Sequence, residues 1–101
     1  MMVIHVVCKD RPEADRIAQA ILERRLAACV NMLPVESKYV WNDAIESASE
    51  VTMLIKTRKT MFARVSALVR SMHSYDVPAI FAFDVAKVDD DYARWLYGVV
   101  K

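Results

Sequence analysis

With 101 residues the chain has the length of a single domain, and 55% hydrophobic with 27% charged residues allow a packed core beneath a charged surface. The formal net charge is +1 and the Lys and Arg residues form no run, which argues against nucleic acid as the main partner. No apolar run approaches the ~20 residues that a membrane span needs, so no membrane partner is expected.

The first two predicted elements are a strand and an amphipathic helix. Val3–Cys8 is predicted to be a strand, with apolar residues on both faces. Asp10 occupies the position of an N-cap, and Pro12 fits the first turn of the helix that follows. Apolar residues then recur at helical spacing from Ala14 to Leu22, which predicts one buried stripe.

A long β-hairpin is predicted across residues 25–57, and the rest of the chain is arranged around it. Its arms are rich in Val, Ile, Tyr, Trp and Thr, and Asn42–Ala44 supplies the polar turn between them. The first arm begins near Ala28, breaks at Pro34 in a bend, bulge or strand edge, and resumes at Lys38–Trp41. The second arm is Val51–Thr57. Because these arms exceed the usual ~5–6 residues, we expect the hairpin to overhang the domain and to be covered from outside.

The second half of the chain is predicted to add two helices and a strand. Thr60 is the predicted cap of a helix whose apolar stripe runs from Met61 to Met72. Ala79–Val85 is the fourth strand. The acidic run Asp89–Asp91 suits the N-terminus of a short last helix that carries Tyr92 to Val99.

This order, β-α-β-β-α-β plus a C-terminal helix, predicts an α+β fold of the ferredoxin-like, split βαβ type, in one domain over residues 1–101. All four strands are apolar on both faces, yet the two main helices cover only one face of the sheet. The other face would be a larger apolar patch than a soluble monomer usually exposes. We therefore predict obligate assembly through the hairpin and this second face; the alternative is that the last helix covers it.

Four motifs then occur in the order found in a known family. Arg25–Asn31 is R-L-A-A-C-V-N, and Tyr39–Trp41 with Glu50–Thr57 matches the arms of that family's long hairpin. His73–Pro78 matches its H-P-Y-x-V-P segment, and Asp91–Leu96 matches its last helix. With these motifs the chain resembles CutA, the divalent-cation tolerance proteins, over nearly its whole length. It departs from the family pattern in three places, with Asp43 for a glycine, Ser74 for a proline and Ala79 for a glutamate.

The resemblance implies a non-catalytic, tight homotrimer that takes part in the response to metal ions. It also implies that hairpins pair across subunits. Tyr39, Trp41 and Trp95 are large amphipathic groups, and we expect them at the trimer interface. Some family members bind copper, and the implied metal site draws on Cys29 and His73.

The residues themselves leave the metal site open. Cys29 lies mid-strand, where packing and metal ligation are both consistent with a cysteine. His73 follows a helix end, where capping the helix is the alternative to holding a metal. Together they suit Cu(II) or another borderline divalent ion, bound at a subunit interface, and no cofactor is required.

Two other functions remain as alternatives. One is a trimeric small-molecule sensor, similar in fold to the PII-type signalling proteins, with an anionic ligand in clefts near Lys56, Arg58 and Tyr75. The other is an enzyme with Cys29 as nucleophile, although its apolar neighbours fit that role poorly. The single glycine, Gly98, excludes a phosphate-binding loop. Without a signal-peptide pattern and with cysteines that form no C-x-x-C motif, we expect a cytoplasmic protein with free thiols.

Overall fold

The computed structural model describes residues 1–101 as one antiparallel four-stranded sheet in the order β2-β3-β1-β4, with two helices across one face. This strand order confirms the ferredoxin-like prediction. A 3-10 turn at Lys59–Met61 precedes the second helix, and a third helix follows the last strand. The elements are β1 Met2–Cys8, α1 Arg11–Glu23, β2 Cys29–Trp41, β3 Ala44–Thr57, α2 Phe62–Met72, β4 Ile80–Asp84 and α3 Asp90–Val99.

The hairpin is longer and more regular than predicted. β2 and β3 stay in register from the pair Cys29 and Lys56 to the pair Trp41 and Ala44, without a bulge. The predicted interruption of pairing at Pro34 is therefore wrong, but the strand-edge alternative is confirmed: β2 is an edge strand, where a proline can face away from the ladder. β3 likewise begins at Ala44 rather than at Val51, because its polar first half is held by pairing with β2.

The turn itself was predicted correctly. Asn42 and Asp43 form a two-residue connection with φ of 50° and 61°. Positive φ at both central residues is the geometry of a type I′ turn, which fits the right-handed twist of the flanking strands. Asn and Asp tolerate these angles better than other residues with a side chain.

The core lies between the sheet and helices α1 and α2. Asp10 caps α1 as predicted, because its Oδ1 accepts a hydrogen bond of 2.9 Å from the backbone N–H of Glu13. The predicted cap at Thr60 is wrong, since α2 begins at Phe62 after the 3-10 turn and has no side-chain cap. Fully buried side chains on this face include Ile4, Val6, Ile17, Ile21, Met53, Ile55, Val65 and Val69.

The second face of the sheet is apolar and only partly covered. Here His5 of β1 lies between Leu54 of β3 and Phe81 of β4, and the His5 and Phe81 rings stack at 4.5 Å. Helix α3 reaches only one end of this face, where the Lys56 ammonium lies 5.8 Å from the Tyr92 ring. Phe81 remains 46% exposed in a single copy of the chain. The predicted open apolar face is therefore present, and the alternative that the last helix covers it is not.

Candidate functional site

Three side chains that can ligate metals meet beneath the sheet. Cys8 ends β1, Glu13 lies in the first turn of α1, and His73 follows the last residue of α2. Their ligand atoms all lie within 4.8 Å of one another, and we call these three residues the Cys8 cluster. The ferredoxin-like connections create this cluster, since β1 delivers the chain into α1 while α2 returns to the same end of the sheet.

Glu13 is a buried carboxylate in this cluster. Its residue is 1% exposed, and its two oxygens accept hydrogen bonds from the backbone N–H groups of Lys9 at 3.0 Å and Ser74 at 2.9 Å. Burial alone would raise its pKa, but these hydrogen bonds and the adjacent His73 outweigh it, and the pKa of Glu13 is lowered. Glu13 is therefore ionised at neutral pH and supplies the negative charge of the cluster.

His73 is held by hydrogen bonds at both ring nitrogens. Its Nε2 lies 2.7 Å from the backbone carbonyl oxygen of Val7, and its Nδ1 accepts a hydrogen bond of 3.1 Å from the backbone N–H of Tyr75. These partners assign the proton to Nε2. Nε2 also lies 3.9 Å from Oε1 of Glu13, so the imidazole faces a carboxylate in a site without solvent.

Cys8 contributes a protonated thiol. Burial, followed by the negative charges of Glu13, Asp10 and Glu50, raises the pKa of Cys8 to about 12. The thiol is therefore inert as a nucleophile at neutral pH. It becomes a metal ligand only when an arriving cation replaces its proton.

The two metal ligands predicted from the sequence are not brought together in one copy of the chain. Cys29 begins β2 opposite Lys56, whereas His73 hydrogen-bonds Val7, which pairs with Thr52. Four residues of β3 separate these positions, or roughly 13 Å along a strand. The cysteine that does meet His73 is Cys8, which the sequence indicated only by its position just before the α1 cap.

Of the three predicted ligand-cleft residues, Tyr75 lies apart from Lys56 and Arg58 within one copy of the chain. The Arg58 guanidinium donates to the backbone carbonyl oxygens of Tyr97 and Val100 and therefore fastens α3 to the sheet. Lys56 lies nearby over the Tyr92 ring. Tyr75 lies against the middle of β3, where its hydroxyl donates a 2.7 Å hydrogen bond to Glu50.

A cavity of about 540 Å³ lies between the overhanging hairpin and the segment that leads into β4. Tyr39 and Trp41, both predicted at a trimer interface, line this cavity together with Tyr75. Trp95, the third predicted interface residue, lies on α3 against Tyr92 and is 48% exposed. The full lining is Val7, Ser37, Tyr39, Trp41, Glu50, Ser74, Tyr75, Asp76, Val77 and Ala79.

Comparison with known proteins assigns the family. The model of the CutA1 divalent ion tolerance protein family matches residues 2–98. The chain belongs to the CutA family. The resemblance stated from the four sequence motifs is thereby confirmed.

Individual CutA proteins are similar along the whole chain. The divalent-cation tolerance protein CutA of Archaeoglobus fulgidus is 40% identical over 93 residues, covering 92% of this chain and 91% of the relative. Protein CutA of Mus musculus is 39% identical over 97 residues, which cover 95% of this chain but 55% of that longer protein.

Solved CutA structures have the same fold. A structure described as the periplasmic divalent cation tolerance protein CutA from Archaeoglobus fulgidus superposes with a TM-score of 0.97 at 38% identity, over all of both chains. CutA1 from Pyrococcus horikoshii superposes with a TM-score of 0.96 at 32% identity, over 100% of this chain and 99% of the other.

The three departures from the CutA pattern lie at or near these sites. Ser74 stands where the pattern has proline, and its backbone N–H donates to Glu13, which a proline cannot do. Ala79, in place of glutamate, lines the cavity and leaves it one carboxylate fewer. Asp43, in place of glycine, adopts the left-handed angle of the turn.

No helix of the structure combines the length and apolarity needed to cross a membrane.

Proposed function

We propose that this CutA-family chain is a non-catalytic divalent-cation tolerance protein that binds a borderline transition-metal ion, Cu(II) or Zn(II), at the Cys8 cluster. The observation that carries the proposal is the approach of a thiol, a carboxylate and an imidazole to within 4.8 Å. Sulfur and nitrogen donors favour these ions over Mg²⁺ or Ca²⁺. The proposal keeps His73 from the sequence prediction and replaces Cys29 with Cys8.

Metal binding here must be coupled to the loss of protons. The Cys8 thiol has a pKa of about 12, and the Nε2 proton of His73 is donated to Val7. An ion bound between them displaces the thiol proton to solvent, and the imidazole proton must move from Nε2 to Nδ1, which breaks the hydrogen bonds to Val7 and Tyr75. Because the thiol proton is released, the affinity should rise with pH. Glu13, already ionised, offsets part of the positive charge that the ion brings.

Calorimetric titration with Cu(II), Zn(II) and Mg(II) tests the site. We expect Cu(II) and Zn(II) to bind and Mg(II) not to bind. Cys8→Ser and His73→Gln should each weaken Cu(II) binding by about tenfold or more. Cys29→Ser is the matched control, because it removes the same group from β2, outside the Cys8 cluster, and it should leave the affinity unchanged.

The opposite result would be equally clear. If Cys29→Ser weakens Cu(II) binding and Cys8→Ser does not, the ligand pair predicted from the sequence is correct and the Cys8 cluster is only structural. Equal binding by all variants would reject both sites.

We further propose that the protein acts as a homotrimer. The proposal is supported by the open apolar sheet face and by a hairpin that extends the molecule to 45 × 25 × 21 Å. Phe81 and Phe83 on the open face are 46% and 55% exposed, a cost that burial against other copies removes. Assembly through this surface was predicted from the strand pattern, and the number of three copies from the resemblance to CutA.

A non-enzymatic role is supported by the state of the two cysteines. Burial keeps the Cys8 thiol protonated, and Cys29 forms no hydrogen bond to a histidine base.

The cytoplasmic location expected from the N-terminal sequence stays a prediction, and the Archaeoglobus fulgidus relative is described as periplasmic.

A further inference from the structure

The cavity beneath the hairpin overhang has an unusual lining. Three aromatic side chains, Tyr39, Trp41 and Tyr75, surround it, together with the carboxylates of Glu50 and Asp76. None of its ten lining residues is basic. Its volume of about 540 Å³ falls within the range of ~300–1,000 Å³ that is usual for sites that hold small molecules.

Glu50 is the most informative of these residues. It is 8% exposed, and its Oε2 accepts the 2.7 Å hydrogen bond from the Tyr75 hydroxyl. Its Oε1 forms no hydrogen bond within the chain, and Glu50 takes part in none of the ion pairs of the structure. Oε1 is not sealed from solvent, and it is the oxygen that a cation or an N–H donor entering the cavity can reach.

The aromatic rings favour the same kind of ligand as Glu50. The face of a tyrosine or tryptophan ring attracts a cation through its quadrupole, most strongly where water is excluded. The apolar parts of Trp41 and Val77 can cover a short alkyl chain at the same time. The carboxylates repel an anion, in contrast to the anionic ligand predicted near Tyr75 from the sequence.

We propose that this cavity binds an organic cation with N–H donors on a short apolar chain, that is, an alkylammonium or alkylguanidinium ion. An N–H group of the ligand donates to Oε1 of Glu50, and its charge lies among the three rings. The alkyl chain lies against the hairpin. None of the ten lining residues belongs to the Cys8 cluster, although Ser74 and Tyr75 hydrogen-bond Glu13 and His73 and so connect the two sites.

Butylammonium and butylguanidinium chloride are suitable probes, titrated into the assembled protein by calorimetry and by tryptophan fluorescence. In a Trp95→Phe variant, Trp41 is the only tryptophan, so its emission reports the cavity directly. Pentanoate is the matched control, because it has a similar alkyl chain with the opposite charge. We expect saturable binding of the two cations, with a change in Trp41 emission, and no binding of pentanoate.

Two variants separate the cavity from general surface charge. Glu50→Gln keeps the shape of the side chain and the oxygen that accepts from Tyr75 but removes the charge. It should lower the affinity for both cations by about tenfold or more. Glu46→Gln removes the same charge from an exposed position opposite Tyr39, outside the cavity lining, and should leave the affinity unchanged. Circular dichroism of both variants verifies that each is folded.

Three results would overturn the proposal. Equal binding of pentanoate would show an apolar site without charge selectivity, and unchanged binding by Glu50→Gln would show that Glu50 is not the anchor. Absence of saturable binding in the assembled protein would show that the cavity is filled in the assembly, with Glu50 paired to a second copy.

Discussion

A single backbone N–H, that of Ser74, separates this chain from the usual CutA pattern at the Cys8 cluster. It donates a 2.9 Å hydrogen bond to the buried carboxylate of Glu13. Restoring proline with Ser74→Pro removes this donor. The exchange is tolerated by the preceding residue, because His73 already has φ −78° and ψ 143°, the extended conformation that proline requires before it. The loss of this donor should therefore be the main cause of any change in the free energy of unfolding.

We expect Ser74→Pro to lower the free energy of unfolding by about 1–2 kcal/mol at neutral pH, measured by chemical denaturation. Ser74→Ala is the control, because it keeps the backbone N–H and should lower the free energy of unfolding by less. The pKa of Glu13 is lowered on folding, so its stabilising contribution exists above the ordinary value of 4.5 and disappears as the pH falls through the lower, folded value. The difference in unfolding free energy between the proline and alanine variants should shrink in acid. A difference that does not depend on pH would contradict the role of the hydrogen bond from Ser74 to Glu13.

The same residues show why the sequence pointed to only one member of the Cys8 cluster. His73 was named as a candidate, but the cysteine that it meets in one copy of the chain is Cys8, 65 positions earlier. Both cysteines lie in apolar strands, so local pattern gave no reason to prefer one. The choice is made by strand register, which places Cys8 and not Cys29 at the end of the sheet to which α2 returns.

At the level of elements, the sequence predicted the features that depend on interactions within a few neighbouring residues. The cap at Asp10, the acidic helix start at Asp89–Asp91 and the turn at Asn42 and Asp43 are present, since each depends on side chains and their own backbone. The cap predicted at Thr60 is absent. The segment Ala44–Ser49 was missed as a strand because its residues have weak strand preference. It is extended because it pairs with β2 across the overhang, a tertiary effect that propensity does not contain.

The hairpin turn yields a prediction at this scale. Asp43 has φ 61°, and glycine, the usual CutA residue, adopts that angle without steric cost. Asp43→Gly should raise the free energy of unfolding by about 0.5–1 kcal/mol, since relief of strain exceeds the added flexibility of the unfolded chain. Asp43→Ala should lower it, because alanine has neither the flexibility of glycine nor a side chain that bonds locally. Thermal melting of the three proteins measures the order, and an alanine variant as stable as glycine would contradict it.

For the molecule as a whole, the decisive signal in the sequence was apolar residues on both faces of every strand. That pattern predicted the open face which the structure contains, whereas the path of α3 could not be predicted. Arg58 fixes that path by bonding the backbone oxygens of Tyr97 and Val100, contacts some 40 residues away that leave no local pattern. Because α3 covers only the Lys56 end, Phe81 and Phe83 stay exposed in one copy of the chain.

The substitution Phe81→Asp tests this surface. Phe81 stacks on His5 in the middle of the open face and is 46% exposed, so aspartate there is tolerated by one copy of the chain but would be a buried charge in an assembly. Light scattering should give about three times 11.5 kDa for the unmodified protein and a lower mass for the variant. Its melting temperature should also fall and should depend less on concentration than that of the unmodified protein, because only stability shared between copies is subject to mass action.

Ala63→Asp is the matched control for this experiment, since it adds the same charge at an exposed position on α2, on the opposite side of the sheet. It should keep the mass of the unmodified protein. Dissociation by both variants would mean that added negative charge, rather than the open face, is responsible. A mass of 11.5 kDa for the unmodified protein would end the trimer proposal, because the exposed phenylalanines would then be stable in water without a partner.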